Sequence, residues 1–189
     1  MREDVKNTLK TLYEIGNVAE DSVFLLQTSL IYNTLTLLND CRAKVEYIKE
    51  TLPQLIKTLT ELVKVNPNLE PYVPVPSHLL RIGENIEKLV ELINRKVKEE
   101  VLFSDKDLSE ITFLLQRLME ILRPASDIIL ARNKFLSRYV QESEAGVMRR
   151  AIEYATRHEE LLIEGSYLPI ASSICINMLD AIKSIAWHA

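Results

Sequence analysis

Apolar positions recur along this chain in steps of three and four residues. Leu9, Leu12, Gly16, Ala19, Val23, Leu26, Leu30, Asn33 and Leu37 fall on one stripe, which predicts a single long first helix. Cys41, Val45, Ile48, Leu52, Leu55, Leu59 and Leu62 continue the spacing into a second helix. Pro53 lies inside it and should kink it or end a turn, because proline removes a backbone donor. Residues 66–76 then carry Pro67, Pro71, Pro74 and Pro76, which predicts an extended loop.

A third helix is expected to start from Ser77 as N-cap and to run to about Val101, with Leu79, Ile82, Ile86, Leu89 and Ile93 inward. Ser104 and Asp107 have the spacing of a variant capping box and open a fourth helix, in which Pro124 predicts a bend. The fifth helix runs from about Lys134 to Ile163, with Gly165 placed to stop it, and the sixth from about Tyr167. The links at 102–104, 132–133 and 164–166 are short and favour antiparallel neighbours. The prediction is an all-α protein of six helices in two pseudo-repeated three-helix bundles, residues 1–101 and 102–189, packed as one unit.

Composition agrees with helix. Only four glycines occur in 189 residues, against about 7% in an average protein. This excludes most turn-rich β folds and every glycine-rich phosphate loop. The net charge of −4, from 23 basic and 27 acidic residues, argues against nucleic acid as a partner, since phosphate contacts need a basic face. Cys41 and Cys175 are far apart and read as small buried hydrophobes in a reduced compartment. The N-terminus opens into a charged helix with no signal peptide. The most apolar stretch, Val23 to Leu38, falls short of the roughly 18 apolar residues of a membrane span. The expectation is a cytoplasmic protein without such a span.

Candidate chemistry is sparse. His78 reads as a surface histidine at a helix start. His158 shares a stripe with Glu144, Val147, Ala151 and Tyr154, which suits a structural hydrogen bond better than a ligand role. No Glu-x-x-His or His-Glu-x-x-His occurs, so the usual bundle di-iron and zinc motifs are missing. Carboxylate pairs at helical spacing (Glu46 with Glu50, Glu84 with Glu87 and Glu91, Glu160 with Glu164) are able to hold a hard cation, and are equally the solvated face of an acidic helix. The serines show no accompanying base and no Gly-x-Ser-x-Gly elbow. Nothing in the residues favours an enzyme.

Several stretches resemble the PhoU family of phosphate-uptake regulators, whose domain also occurs on sodium/phosphate cotransporters. They are EIGNVAEDSV from Glu14, LRIGENIEKLVEL from Leu80, KVKEEVLFSDKDLSEI from Lys96, RHEELLIEG from Arg157 and MLDAIKSIAWHA from Met178. The resemblance spans essentially the whole chain. It implies a pseudo-repeat of three-helix bundles and a non-enzymatic regulator of phosphate homeostasis that contacts a transporter or a sensor kinase. Family members hold metal clusters on acidic pairs. Transferred residue by residue, these pairs leave Glu84 on the third helix and Glu144 on the fifth. Lys49, Pro53, Lys183 and Trp187 stand where other acids would be.

The resemblance therefore implies no required cofactor and at most a weakly bound divalent or iron-type metal ion at Glu84 or Glu144. Glu84, Glu87 and Glu91 form the charged rim of a partner-docking face. A homodimer is expected, with Trp187 either at its interface or buried against the first helix. A helical adaptor or a metal-binding protein unrelated to phosphate remains the alternative.

Overall fold

A computed structural model of the protein describes residues 2–189 (for Arg2, the backbone alone). Six α-helices account for nearly all of it: α1 Arg2–Tyr32, α2 Thr36–Val65, α3 Val75–Lys98, α4 Asp105–Ala131, α5 Lys134–Ile163 and α6 Pro169–His188. Within the first three, α1 packs on α2 and α3, and α2 on α3. Within the last three, α4 packs on α5 and α6, and α5 on α6. The two sets join along α1 against α4 and along α3 against α6. One hydrophobic cluster takes in buried side chains from all six helices, so the sets share a core.

The first stripe breaks earlier than expected. Asn33 adopts a left-handed conformation with φ 53°, and α2 starts at Thr36, so Leu37 belongs to α2 and Leu38 is the buried residue. Asparagine tolerates this conformation because its short amide bonds locally. Here Lys96 Nζ donates to Asn33 Oδ1 at 2.9 Å while lying over the Phe103 ring. The buried amine thereby ties the α1–α2 turn to the segment after α3. Helix α2 passes through Pro53 without interruption.

The proline-rich segment is also more ordered than an extended loop. Pro67–Tyr72 forms a 3-10 helix with Leu69 and Tyr72 buried. Helix α3 then starts at Val75, so Ser77 lies in its first turn and Pro76 is buried there. Proline fits such first turns because no partner exists for its missing N–H.

Ser104 and Asp107 form the expected capping box, each side chain bonding the other's backbone N–H. Asn133 caps α5 through its side-chain oxygen. At the end of α5, Gly165 has φ 69°, and the 165 and 166 amides bond back to Leu162 and Leu161, which is a Schellman stop. Helices α1 and α4 touch closely at Gly16, where a Cβ would run into the Ser126 hydroxyl.

Helix α6 is the apolar one: its mean hydropathy of 1.2 over 18 residues would suit a membrane span by length and composition. The 23–38 stretch is divided between two helices. Leu179, Ile182 and Ile185 of α6 are fully buried in the bundle. Both thiols are buried, which pushes Cys41 up to about 12 and Cys175 likewise upward. They serve as packing groups rather than nucleophiles.

Candidate functional site

The chain's polar chemistry collects in two places, a buried ionic network and an open cavity. The network forms where the N-terminus of α4, the C-terminal part of α5 and the start of α6 meet. Its centre is Asp107, which is 1% exposed. The Ser104 amide and hydroxyl both donate to Asp107 Oδ2, and the Tyr167 hydroxyl makes a short hydrogen bond to the same oxygen. Arg157 Nη2 lies 3.1 Å and His158 Nε2 3.4 Å from Oδ1. Arg157 also grips Glu110, with Nη1 donating to Oε1 at 2.9 Å and Nη2 lying 2.8 Å from Oε2.

These contacts set the charge states. Burial pushes Asp107 up, but hydrogen bonds from Ser104 and Tyr167 outweigh it and hold the carboxyl below its ordinary value. Burial raises Glu110 against the pull of Arg157. His158 is pushed down, chiefly by burial, although Asp107 pulls the other way. Burial and the adjoining Asp107 carboxylate both raise the Tyr167 phenol, which stays protonated and donates.

A neutral His158 with Nε2–H directed at Asp107 leaves Nδ1 as an acceptor, and Ser172 Oγ lies 3.3 Å from it. Ser172 thus has an accompanying base, contrary to the sequence expectation, and the order Asp107–His158–Ser172 is that of an acid–base–hydroxyl relay. Ser172 is 0% and His158 1% exposed, and neither lines the two cavities described below. The contacts link α4, α5 and α6 through a buried chain of hydrogen bonds.

Among the described residues, Asp107, Glu110 and His158 are the one group of three whose ligand atoms converge, within 4.8 Å of one another. The Arg157 guanidinium sits on both carboxylates, so the chain supplies its own cation there. A hard metal ion there would have to displace the guanidinium, although Glu110 Oε2 and Arg157 Nε are buried without a hydrogen-bond partner.

The positions carried over from the family resemblance lie elsewhere and do not converge. Glu84 pairs with Arg81 at 2.8 Å. Glu87 reaches Lys49 at 2.6 Å, and Glu91 reaches Arg42 at 3.2 Å, both across to α2. These three acids do form one half-exposed charged edge of α3. Glu144 is half-buried on α5 and lines a small cavity of about 360 Å³ that shares Trp187 with a larger one.

The larger cavity, about 640 Å³, opens between α1, α3, α4 and α6. His78 and His188 meet across it with their Nδ1 atoms 3.1 Å apart, so His78 is a half-buried, hydrogen-bonded residue instead of a free surface one. Trp187 stacks edge-on against His188, with ring centroids 4.6 Å apart, and remains 62% exposed. It is therefore not buried against α1. Tyr72 donates to the Ile129 carbonyl and accepts from Arg132 Nε.

Ser104 and Asp107 are expected from the sequence as a cap and His158 as a structural hydrogen-bonding residue, whereas Glu110, Arg157, Tyr167 and Ser172 are not expected there. The adjacent Arg157-His158 pair and the Asp107–Glu110 spacing were the available signals, but their convergence depends on how α4, α5 and α6 pack. No protein-family model, curated protein or solved structure matches this chain.

Proposed function

We propose that the protein is a non-enzymatic regulator of phosphate uptake and phosphate homeostasis. It acts by docking a helical face onto a phosphate transporter or a phosphate-sensing kinase. The observation that carries this reading is the pairing of the helices. The helices pack as two sets of three, which supports the pair of three-helix bundles implied by the PhoU resemblance of residues 14–23, 80–92, 96–111, 157–165 and 178–189.

The docking edge is the exposed side of α3. Glu84, Glu87 and Glu91 are each held by one cation, Arg81, Lys49 and Arg42, across partly exposed pairs. Exposed pairs of this kind contribute only about 0–1 kcal/mol to stability, so exchange for a partner's cations costs the fold little. Charge on such an edge speeds encounter and selects partners.

Deleting the gene and following phosphate uptake under plenty and starvation tests the reading. Uptake and phosphate-responsive gene expression should lose their dependence on external phosphate. Unchanged behaviour in both would refute it. Restoring the gene as the triple variant Glu84→Lys, Glu87→Lys, Glu91→Lys should fail to complement while the purified variant keeps its helical content. Full complementation by that variant would remove the α3 edge from the mechanism.

A further inference from the structure

The 640 Å³ cavity lies within the roughly 300–1,000 Å³ range of small-molecule sites. Its walls are apolar: Leu79 and Ile82 from α3 face Leu122, Ala125 and Ile129 from α4. Its polar groups differ in sign from the chain as a whole. The protein carries 27 acidic residues against 23 Lys and Arg, yet no acidic side chain among the described residues lines this space, whereas Arg132 does.

Arg132 is fixed in place. Its backbone is left-handed at φ 47°, its guanidinium lies over the Tyr72 ring, Nε donates to Tyr72 Oη at 2.7 Å and Nη2 to the Asn68 carbonyl. All of these partners are neutral. Arg132 is exposed, and among the described residues it has no carboxylate partner and no protein hydrogen bond at Nη1, which faces water. A guanidinium held at the edge of an apolar space, with a donor still free, suits a carboxylate head. The Nδ1–Nδ1 bond between His78 and His188 adds to this, since it leaves one of the two rings with Nε2–H as a further donor.

We propose that this cavity binds an amphiphilic organic anion, with its carboxylate head at Arg132 and its apolar tail between α3 and α4. The site is separate from the α3 edge and stands whether or not the protein regulates phosphate. Glu84 and Arg81 lie near His188. As they pair with each other, the cation left to the ligand is Arg132.

Decanoate is the probe, used below its micellar concentration with the full chain. Trp187 is the one tryptophan in the sequence and lines the cavity, so its fluorescence reports occupancy, and calorimetry gives the stoichiometry. Decanoate should bind saturably at one per chain. Decanol, with the tail but no charge, should bind about tenfold more weakly, the size of one charge-assisted hydrogen bond. Inorganic phosphate, with charge but no tail, should leave the fluorescence unchanged.

Arg132→Gln should weaken decanoate by about the same tenfold factor and leave decanol alone. Ala125→Phe, which fills the cavity, should abolish both. The proposal is overturned by non-saturable binding, by equal affinity for decanol and decanoate, by phosphate binding as tightly as decanoate, or by unchanged binding to folded Ala125→Phe. The ligand series on the unsubstituted protein decides the matter even where a variant does not fold.

Discussion

His158 Nε2 lies 3.4 Å from Asp107 Oδ1, and both residues are 1% exposed. This contact joins α5 to the first turn of α4. Ser172, hydrogen-bonded on the other side of the imidazole, extends it into α6. The three helices are thereby locked at one end through a single carboxylate that accepts from Ser104, Tyr167 and Arg157 as well.

Asp107→Asn should destabilise the protein by about 3–5 kcal/mol, the cost of leaving a buried ionic partner uncompensated. Arg157 would keep Glu110 but lose its second anion. Chemical denaturation of the two proteins measures the difference. A loss under about 1 kcal/mol would mean that the network does not hold the helix ends. Glu110→Gln should cost less, since Glu110 accepts only from Arg157 and is less buried.

Stability should fall as pH drops just below 6.5. Burial holds His158 below the ordinary 6.5 in the folded protein, so the unfolded chain takes up its proton first, and acidification favours unfolding until the folded-state value is reached. His188 is shifted the same way, by burial and by the nearby His78 and Arg81. His158→Gln should remove part of this slope, and His158→Gln with His188→Gln the rest, as read by thermal unfolding from pH 7.5 downward in steps of about half a unit. Asp107 acts in a different window. Its folded value lies below 3.8, so its contribution is complete above the unfolded value and is lost only as pH falls through the folded one. A slope near pH 6.5 that is unchanged by the double substitution would contradict a downward shift of these imidazoles.

Gly16→Ala should lower the thermal midpoint, because its Cβ meets the Ser126 side chain where α1 crosses α4. Overpacking of this kind costs about 1–3 kcal/mol. Ser126→Gly in the same chain should recover most of the loss, and the double-mutant cycle should show positive coupling. Gly83→Ala should be milder, since the nearest atom is Ile48 Cγ2 at 3.2 Å, whereas Gly83→Leu must displace Ile48 and should destabilise clearly. Additive effects at Gly16 and Ser126 would show that the two helices do not approach there.

Much of the fold was legible because helices are local. The α5 limits at Lys134 and Ile163, the capping box of Ser104 and Asp107, and the stop at Gly165 depend on residues within one turn of each other. The misses have non-local causes. Asn33 fits the helical stripe by spacing and still serves as a turn, because Lys96, distant in sequence, holds its side chain. The proline-rich stretch folds as a 3-10 helix once Leu69 and Tyr72 have a core to enter.

The site was much less legible. Glu84 and Glu144 came from resemblance, and in the structure they sit apart from any converging ligand set. Asp107 was visible only as a cap, although the same carboxylate anchors Arg157, His158 and Tyr167.

The sequence by itself determined the six amphipathic helices and most of their ends, because periodicity and capping act over a few residues. Only the tertiary structure decided which helices touch, and with that where charge is buried and where space is left. Asp107 meets His158, and His78 meets His188, through packing between helices that are remote in sequence. The burial that lowers His158 and His188 exists only once those helices have met.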